Sequence, residues 1–283
     1  MAVIYSSEDY RMDYVSWRSI ESRTGISKSD VYKFILKELL DNAVDFIESE
    51  SHSNNNNNIT PAEIKAIIKL NNGTIANSKT ISLILRNSNP DNNPIARGNN
   101  SKEMLKSIFK IGVYYSSKRN IFRITKGALG DALKEILCIP YALAEEDQQI
   151  KWTLPLIIRN ANKEFKIHLL VDKFNDTIHT EVDEAHYDIS GATEVEVTLP
   201  IIEKLTSTVS SLANYMRTYA MFVTHIRFTL INEDKEQASF IKLDATQKIN
   251  TKWKNLSSAH WYKRHEFHKL LLGLSKENPS LET

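Results

Sequence analysis

Glu38, Asn42 and Asp45 stand at i, i+4 and i+7 within Lys37-Glu38-Leu39-Leu40-Asp41-Asn42-Ala43-Val44-Asp45-Phe46. On a helix that spacing puts all three on one face. Phe34, Ile35, Leu39, Leu40, Ala43, Val44, Phe46 and Ile47 surround them, so a row of polar groups lies on an otherwise apolar helix. Such groups cost free energy to bury unless something pairs with them. A magnesium ion, water and phosphate are suitable partners. A carboxylate one helical turn from a metal-ligating amide can place a water and accept its proton. The other reading of this pattern is a solvated face on an amphipathic helix.

Further candidates lie downstream. Thr125-Lys126-Gly127-Ala128-Leu129-Gly130-Asp131-Ala132 sets two glycines three apart before a helical pattern. Glycine lets backbone amides approach an anion, and a helix N-terminus adds unpaired N–H groups. With Lys118 and Lys126 nearby in sequence this is a phosphate-site candidate; its alternative is a tight turn. Asn87 ends a strand pattern in phase with Ile81, Leu83 and Leu85. Its amide could be satisfied by backbone or by a base edge in a pocket.

The elements that must position these residues follow from periodicity and turn chemistry. Residues 1–28 mix Tyr5, Tyr10, Tyr14 and Trp17 with charges and read as a strap followed by a short helix. A helix runs from about Asp30 to Glu50, with Ser27 or Ser29 as its N-cap. Asn54 to Asn58 belong to a low-complexity loop. Strands are predicted over Glu63–Leu70 and Thr80–Asn87, with a turn at Asn71-Asn72-Gly73. Loop follows to Asn100, then a helix over Ser101–Ile111. The helix after Gly130 extends to about Leu137. Further strands are expected over Trp152–Arg159, Phe165–Val171, Glu194–Leu199 and His225–Ile231. A helix over residues 203–221 turns Leu205, Val209, Leu212, Ala213 and Met216 inward. A short helix, His265–Leu274, is expected in the polar tail.

Composition sets the limits. The 283 residues are 41% hydrophobic and 25% charged, ordinary for a globular chain of one to one and a half domains. Thirty-six basic and 35 acidic residues leave a formal charge of +1, so no global field favours nucleic acid. The single Cys138 cannot form an internal disulfide, which fits a reducing cytoplasm. Met1 to Tyr10 do not form a signal peptide, and no run of about 20 apolar residues exists to span a membrane.

The order of these features resembles the GHKL ATPases: gyrase B, the large heat-shock chaperone, MutL and the histidine kinases. Their E-x-x-x-N-x-x-D helix appears complete as Glu38, Asn42 and Asp45. The resemblance implies that Glu38 is the general base, that Asn42 ligates the Mg²⁺ bridging the ATP phosphates, and that Asp45 supports the pocket. It implies nucleotide contacts from Asn87, Ser117, Lys118, Lys126, Gly127, Ala128, Leu129, Gly130 and Thr193. In place of the family's D-x-G-x-G, strand phase puts Asn87 at the Asp position and Asn89 at the first glycine. Asp91 in Asp91-Asn92-Asn93-Pro94-Ile95 is the alternative adenine reader. Ala132 replaces the last glycine of G-x-x-G-x-G. The G-T…L-P strand appears as Gly191, Ala192, Thr193…Leu199, Pro200 with one inserted residue.

Ser211 to Ala220 followed by Thr224-His225-Ile226-Arg227-Phe228 is similar to the topoisomerase VI B subunit. Lys248, Lys252 and Lys254 match no γ-phosphate lysine motif and read as surface lysines. The resemblance implies a Bergerat-type fold: an α/β two-layer sandwich with a mixed, mainly antiparallel sheet and helices on one face. An arm over 1–28, an ATP-binding domain over 29–202 and a helix-strand extension with tail over 203–283 are expected. A lid drawn from about Asn93 to Lys126 would cover the nucleotide. Expected activity is Mg²⁺-dependent ATP binding and slow hydrolysis, driving homodimerisation. Expected partners are a DNA-cleaving topoisomerase A-like subunit and, through it, DNA, with no membrane. A non-hydrolysing nucleotide-sensing or scaffold module is the alternative.

Overall fold

The computed structural model of the chain describes residues 11–50, 62–75, 78–87, 101–113, 131–160, 162–187, 192–202, 205–233 and 239–243. Five helices are described: α1 (Trp17–Thr24), α2 (Val31–Glu50), α3 (Ser101–Ile108), α4 (Ala132–Leu143) and α5 (Leu205–Phe222). The strands are β1 (Glu63–Ile75), β2 (Ser78–Asn87), β3 (Leu156–Asn160), β4 (Lys163–Asp172), β5 (Thr177–His186), β6 (Thr193–Pro200), β7 (Arg227–Asn232) and β8 (Ser239–Leu243). They form one eight-stranded sheet in the order β5-β4-β3-β6-β2-β1-β7-β8. Every pairing is antiparallel except β1 with β7. The fold class expected from the sequence is the one observed.

Strand alternation decides which face is covered. Ile64, Ala66 and Ile68 of β1 stand opposite Asn87, Leu85 and Leu83 of β2 and opposite Phe228, Leu230 and Asn232 of β7. Val197 and Leu199 continue that face on β6, Ile158 on β3 and Phe165, Ile167 and Leu169 on β4. All these apolar residues join one core with Ile35, Leu36, Leu39, Leu40, Ala43, Val44 and Ile47 of α2. Each fully buried leucine, isoleucine, valine or phenylalanine among them stabilises the fold by about 1.5–3 kcal/mol. The Tyr32 hydroxyl donates to the Pro200 carbonyl at 2.6 Å and accepts from the Ile202 N–H at 3.1 Å, pinning the start of α2 to the end of β6.

The opposite face mixes a row of isoleucines, Ile231, Ile67 and Ile84 on β7, β1 and β2, with charged residues. Arg159 donates to Glu164 at 2.7 Å, Glu194 at 2.6 Å and Glu196 at 2.8 Å, and lies over the Tyr187 ring at 4.9 Å. Burial disfavours the guanidinium charge, but the three carboxylates outweigh it and hold Arg159 protonated more firmly than usual.

Several boundaries differ from the sequence expectation. Asn71-Asn72-Gly73 does not reverse the chain. A register shift against β2 between Leu70 and Thr74 absorbs it as a bulge, which uses the same residue types as a turn. Trp152 closes a 3₁₀ turn instead of opening a strand; β3 starts after Pro155, whose missing N–H and fixed φ interrupt a ladder. Helix α3 stops at Ile108, short of Ile111, and Gly112 follows at φ 78°. Helix α4 continues past Leu137 through Pro140 to Leu143, because Lys134 to Ala142 are all buried and packing overrides the local cost. Strands β5 and β8 were not expected. Residues Asn54 to Asn58, most of the proposed lid, and the His265–Leu274 helix with Lys248, Lys252 and Lys254 lie outside the described residues. No helix among the described residues is long and apolar enough to cross a membrane.

Cys138 is fully buried in α4, and burial pushes its thiol well above the ordinary range. Thiolate is the reactive form. Ellman's reagent is therefore expected to leave the native protein unlabelled at pH 8 and to titrate about one thiol per chain after denaturant is added. Full labelling without denaturant would contradict this packing.

Candidate functional site

Helix α2 presents its polar row in a gradient of burial. The Glu38 side chain is 14% exposed, Asn42 is half-buried, and Asp45 is buried. Lys37 grips two carboxylates at once: its Nζ lies 2.5 Å from Glu38 Oε1 and 2.9 Å from Asp41 Oδ2. The Tyr219 hydroxyl, from α5, donates to Asp41 Oδ1 at 2.7 Å. A continuous polar chain therefore runs from α5 through Asp41 and Lys37 to Glu38. Sequence reasoning found Glu38, Asn42 and Asp45 and missed Lys37, Asp41 and Tyr219.

The charges explain why this chain holds together. Burial works against the Lys37 ammonium, yet hydrogen bonds and charge from Glu38 and Asp41 outweigh it, so Lys37 stays protonated above the usual lysine range. Burial pushes the Tyr219 hydroxyl far up, and the Asp41 charge and hydrogen bond add to that; Tyr219 is a firm donor. Tyr215, one turn back, is pushed up to about 12 by burial and then by Asp41. On α4, burial raises the Glu135 carboxyl, Arg23 opposes at 3.3 Å, and the Asp131 and Glu38 charges raise it further. Glu38 thus lies within electrostatic reach of both α4 and α5.

At the sheet end, Asn87 of β2 stands opposite Thr193 of β6. Both are buried, and Asn87 Oδ1 accepts the Thr193 N–H at 3.3 Å. The backbone alternative foreseen for Asn87 is therefore realised. A carboxamide oxygen has a second lone pair, so another donor can share it. The sheet brings together two expected site residues that are distant in sequence, and α2 packs on β2 and β1.

Ser117, Lys118, Lys126, Gly127, Ala128, Leu129 and Gly130, with Asn89 and Asp91, lie outside the described residues. The two positions flanking 114–130 are nevertheless held together. Lys134, fully buried on α4, donates to the Val113 carbonyl and pairs with Asp131 Oδ1 at 3.2 Å. That clamp was not read from the sequence; a lysine inside an apolar helix was its only signal.

Among the described residues no group of three or more His, Cys, Asp or Glu side chains is placed to hold a metal. Magnesium does not need one, because it keeps waters and takes phosphate oxygens with one or two protein ligands. Asn42, whose side-chain amide is half-buried on α2, carries an oxygen of the kind such a site would use.

No family model matches the chain, and no curated protein matches it. Among solved structures it is similar to the 43K ATPase domain of gyrase B from Thermus thermophilus, solved with an aminocoumarin. Identity is 15% and the TM-score 0.40, over 76% of this chain and 46% of that one. It is also similar to the topoisomerase IV ATP-binding domain of Francisella tularensis, solved with a small-molecule inhibitor. There identity is 14% and the TM-score 0.34, over 72% of this chain and 83% of that one. The chain thus spans less than half of the gyrase B structure it matches.

Proposed function

We propose that the chain binds ATP with Mg²⁺ and hydrolyses it slowly. One observation carries the reading: Asn87 and Thr193 meet at 3.3 Å on neighbouring strands of the sheet against which the helix bearing Glu38, Asn42 and Asp45 packs. Those five residues come from three separate motifs of the GHKL pattern. In this reading Glu38 accepts the proton of the attacking water. Asn42 holds the metal, which supplies charge neutralisation on the phosphates. Asp45 and Asn87 with Thr193 shape the base end. Ser117, Lys118, Lys126 and the Gly127-Ala128-Leu129-Gly130 segment cradle phosphate. The wider role is topoisomerase VI B-like: ATP-driven homodimerisation through the arm over residues 1–28, acting with a DNA-cleaving subunit. Support for it is the motif of Ser211–Ala220 and Thr224–Phe228, which maps onto α5, β7 and the turn between them.

Calorimetric titration with a non-hydrolysable ATP analogue tests the site. Binding is expected to saturate, to strengthen with Mg²⁺, and to weaken at least about tenfold in Asn42→Ala, a loss of about 1.4 kcal/mol. No saturation up to millimolar nucleotide would remove the proposal.

A second reading is a nucleotide-sensing or scaffold module without turnover. The Lys37–Glu38 contact at 2.5 Å favours it, since it occupies one of the two carboxylate oxygens that a general base would turn to water. Under that reading Glu38→Ala leaves all behaviour unchanged.

A further inference from the structure

Helix α5 is joined to the candidate base by three consecutive polar contacts, and each has one geometry. Tyr219 donates to Asp41 Oδ1 at 2.7 Å, which leaves Oδ2 to Lys37 at 2.9 Å. The Lys37 ammonium then meets Glu38 Oε1 at 2.5 Å. Lys37 and Glu38 are adjacent on α2, so the helix alone does not aim one at the other. The lysine reaches Glu38 because Asp41, one turn on, holds the middle of the chain. Asp41 is in turn held from outside α2, by a residue 178 positions away. The Tyr219 ring is itself fixed, tilted against Tyr215 at 6.2 Å and edge-on to Phe228 of β7 at 5.9 Å.

We propose that Tyr219 is a positioning residue for Glu38, acting through Asp41 and Lys37, so that the seating of α5 sets the orientation of the base. The proposal deepens the hydrolytic reading above and rests on it for its catalytic meaning. Its structural half stands without nucleotide. Removing the hydroxyl frees Asp41 to turn, Lys37 follows, and Glu38 loses its fixed partner. Ground-state nucleotide binding does not use this chain, so kcat should fall while KM holds.

Two measurements on the whole chain test this. The first is the carbon-13 resonance of the Glu38 carboxyl in nucleotide-free protein, assigned by its loss in Glu38→Gln. Tyr219→Phe and Asp41→Asn are each expected to displace it, and the double variant to displace it no further than Asp41→Asn alone. Tyr215→Phe, which removes a hydroxyl one turn away and keeps the ring, should leave it in place. The second is steady-state ATP turnover. Tyr219→Phe is expected to lower kcat about tenfold with KM for ATP within about twofold. An unmoved Glu38 resonance in both Tyr219→Phe and Asp41→Asn overturns the proposal. So does a displaced resonance with wild-type kcat. If wild-type protein shows no turnover while the resonance responds, the hydrolytic reading fails and the coupling stands.

Discussion

Glu38→Gln is expected to bind ATP and Mg²⁺ like the wild-type chain and to hydrolyse ATP about 10²–10⁴-fold more slowly. Glutamine matches glutamate in volume and can still accept a hydrogen bond from Lys37, so the local packing persists. What it loses is the ability to take a proton from water. Lys37 retains Asp41 Oδ2 at 2.9 Å, so the substitution does not leave the half-buried ammonium without an anion. The loss should therefore appear in kcat, with binding preserved. Phosphate release in initial-rate assays, set beside calorimetric binding of the same preparation, separates the two. A Glu38→Gln variant that turns over at the wild-type rate would remove Glu38 as general base. One that loses binding as well would make Glu38 a ligand contact instead.

The parts of the fold legible in the sequence are those where one face is consistently apolar. Helix α2 shows its buried stripe from Val31 to Ile47, and the β2 phase from Ile81 to Asn87 reads directly. Strand β5 was invisible because it is an edge. Ile178 and Val182 are its buried apolar residues, while Glu181 lies between them and Asp183 and Glu184 follow, exposed charges of the kind that protect many edges. The bulge at Asn71-Asn72-Gly73 looked like a turn because both use residues tolerant of unusual φ and ψ. In the site, residues at helical spacing were readable and contacts between elements were not. Lys37 sits next to Glu38 in the chain, which on a helix argues against contact; only the long lysine stem and the pull of Asp41 bring them together. Tyr219 carries no local mark at all. Its role depends on α5 packing against α2, a contact that periodicity cannot specify.

The same kind of long-range contact underlies the largest stability effect expected. Arg159→Met should destabilise the chain by about 3 kcal/mol or more at pH 7. The cause is what remains, not what is removed. Glu164, Glu194 and Glu196 converge on Arg159 with side chains only 12%, 11% and 17% exposed. Without the guanidinium, three carboxylates share one poorly hydrated spot on strands β4 and β6. Methionine fills the space and supplies no counter-charge. Against a total stability of about 5–15 kcal/mol for a domain, such a loss is large. It should also depend on pH in a definite sense. Protonation relieves the repulsion in the folded variant more than in its unfolded chain, so the folded state binds more protons and stability falls as pH rises. Urea denaturation at pH 7 and pH 5 should therefore show the gap from wild type shrinking on acidification. Adding Glu194→Gln to Arg159→Met should recover part of the loss at pH 7, a coupling between neighbours that independent sites would not show. A single variant within about 0.5 kcal/mol of wild type at both pH values would mean that water or rearranged side chains replace the arginine, and the cluster would then be a surface feature.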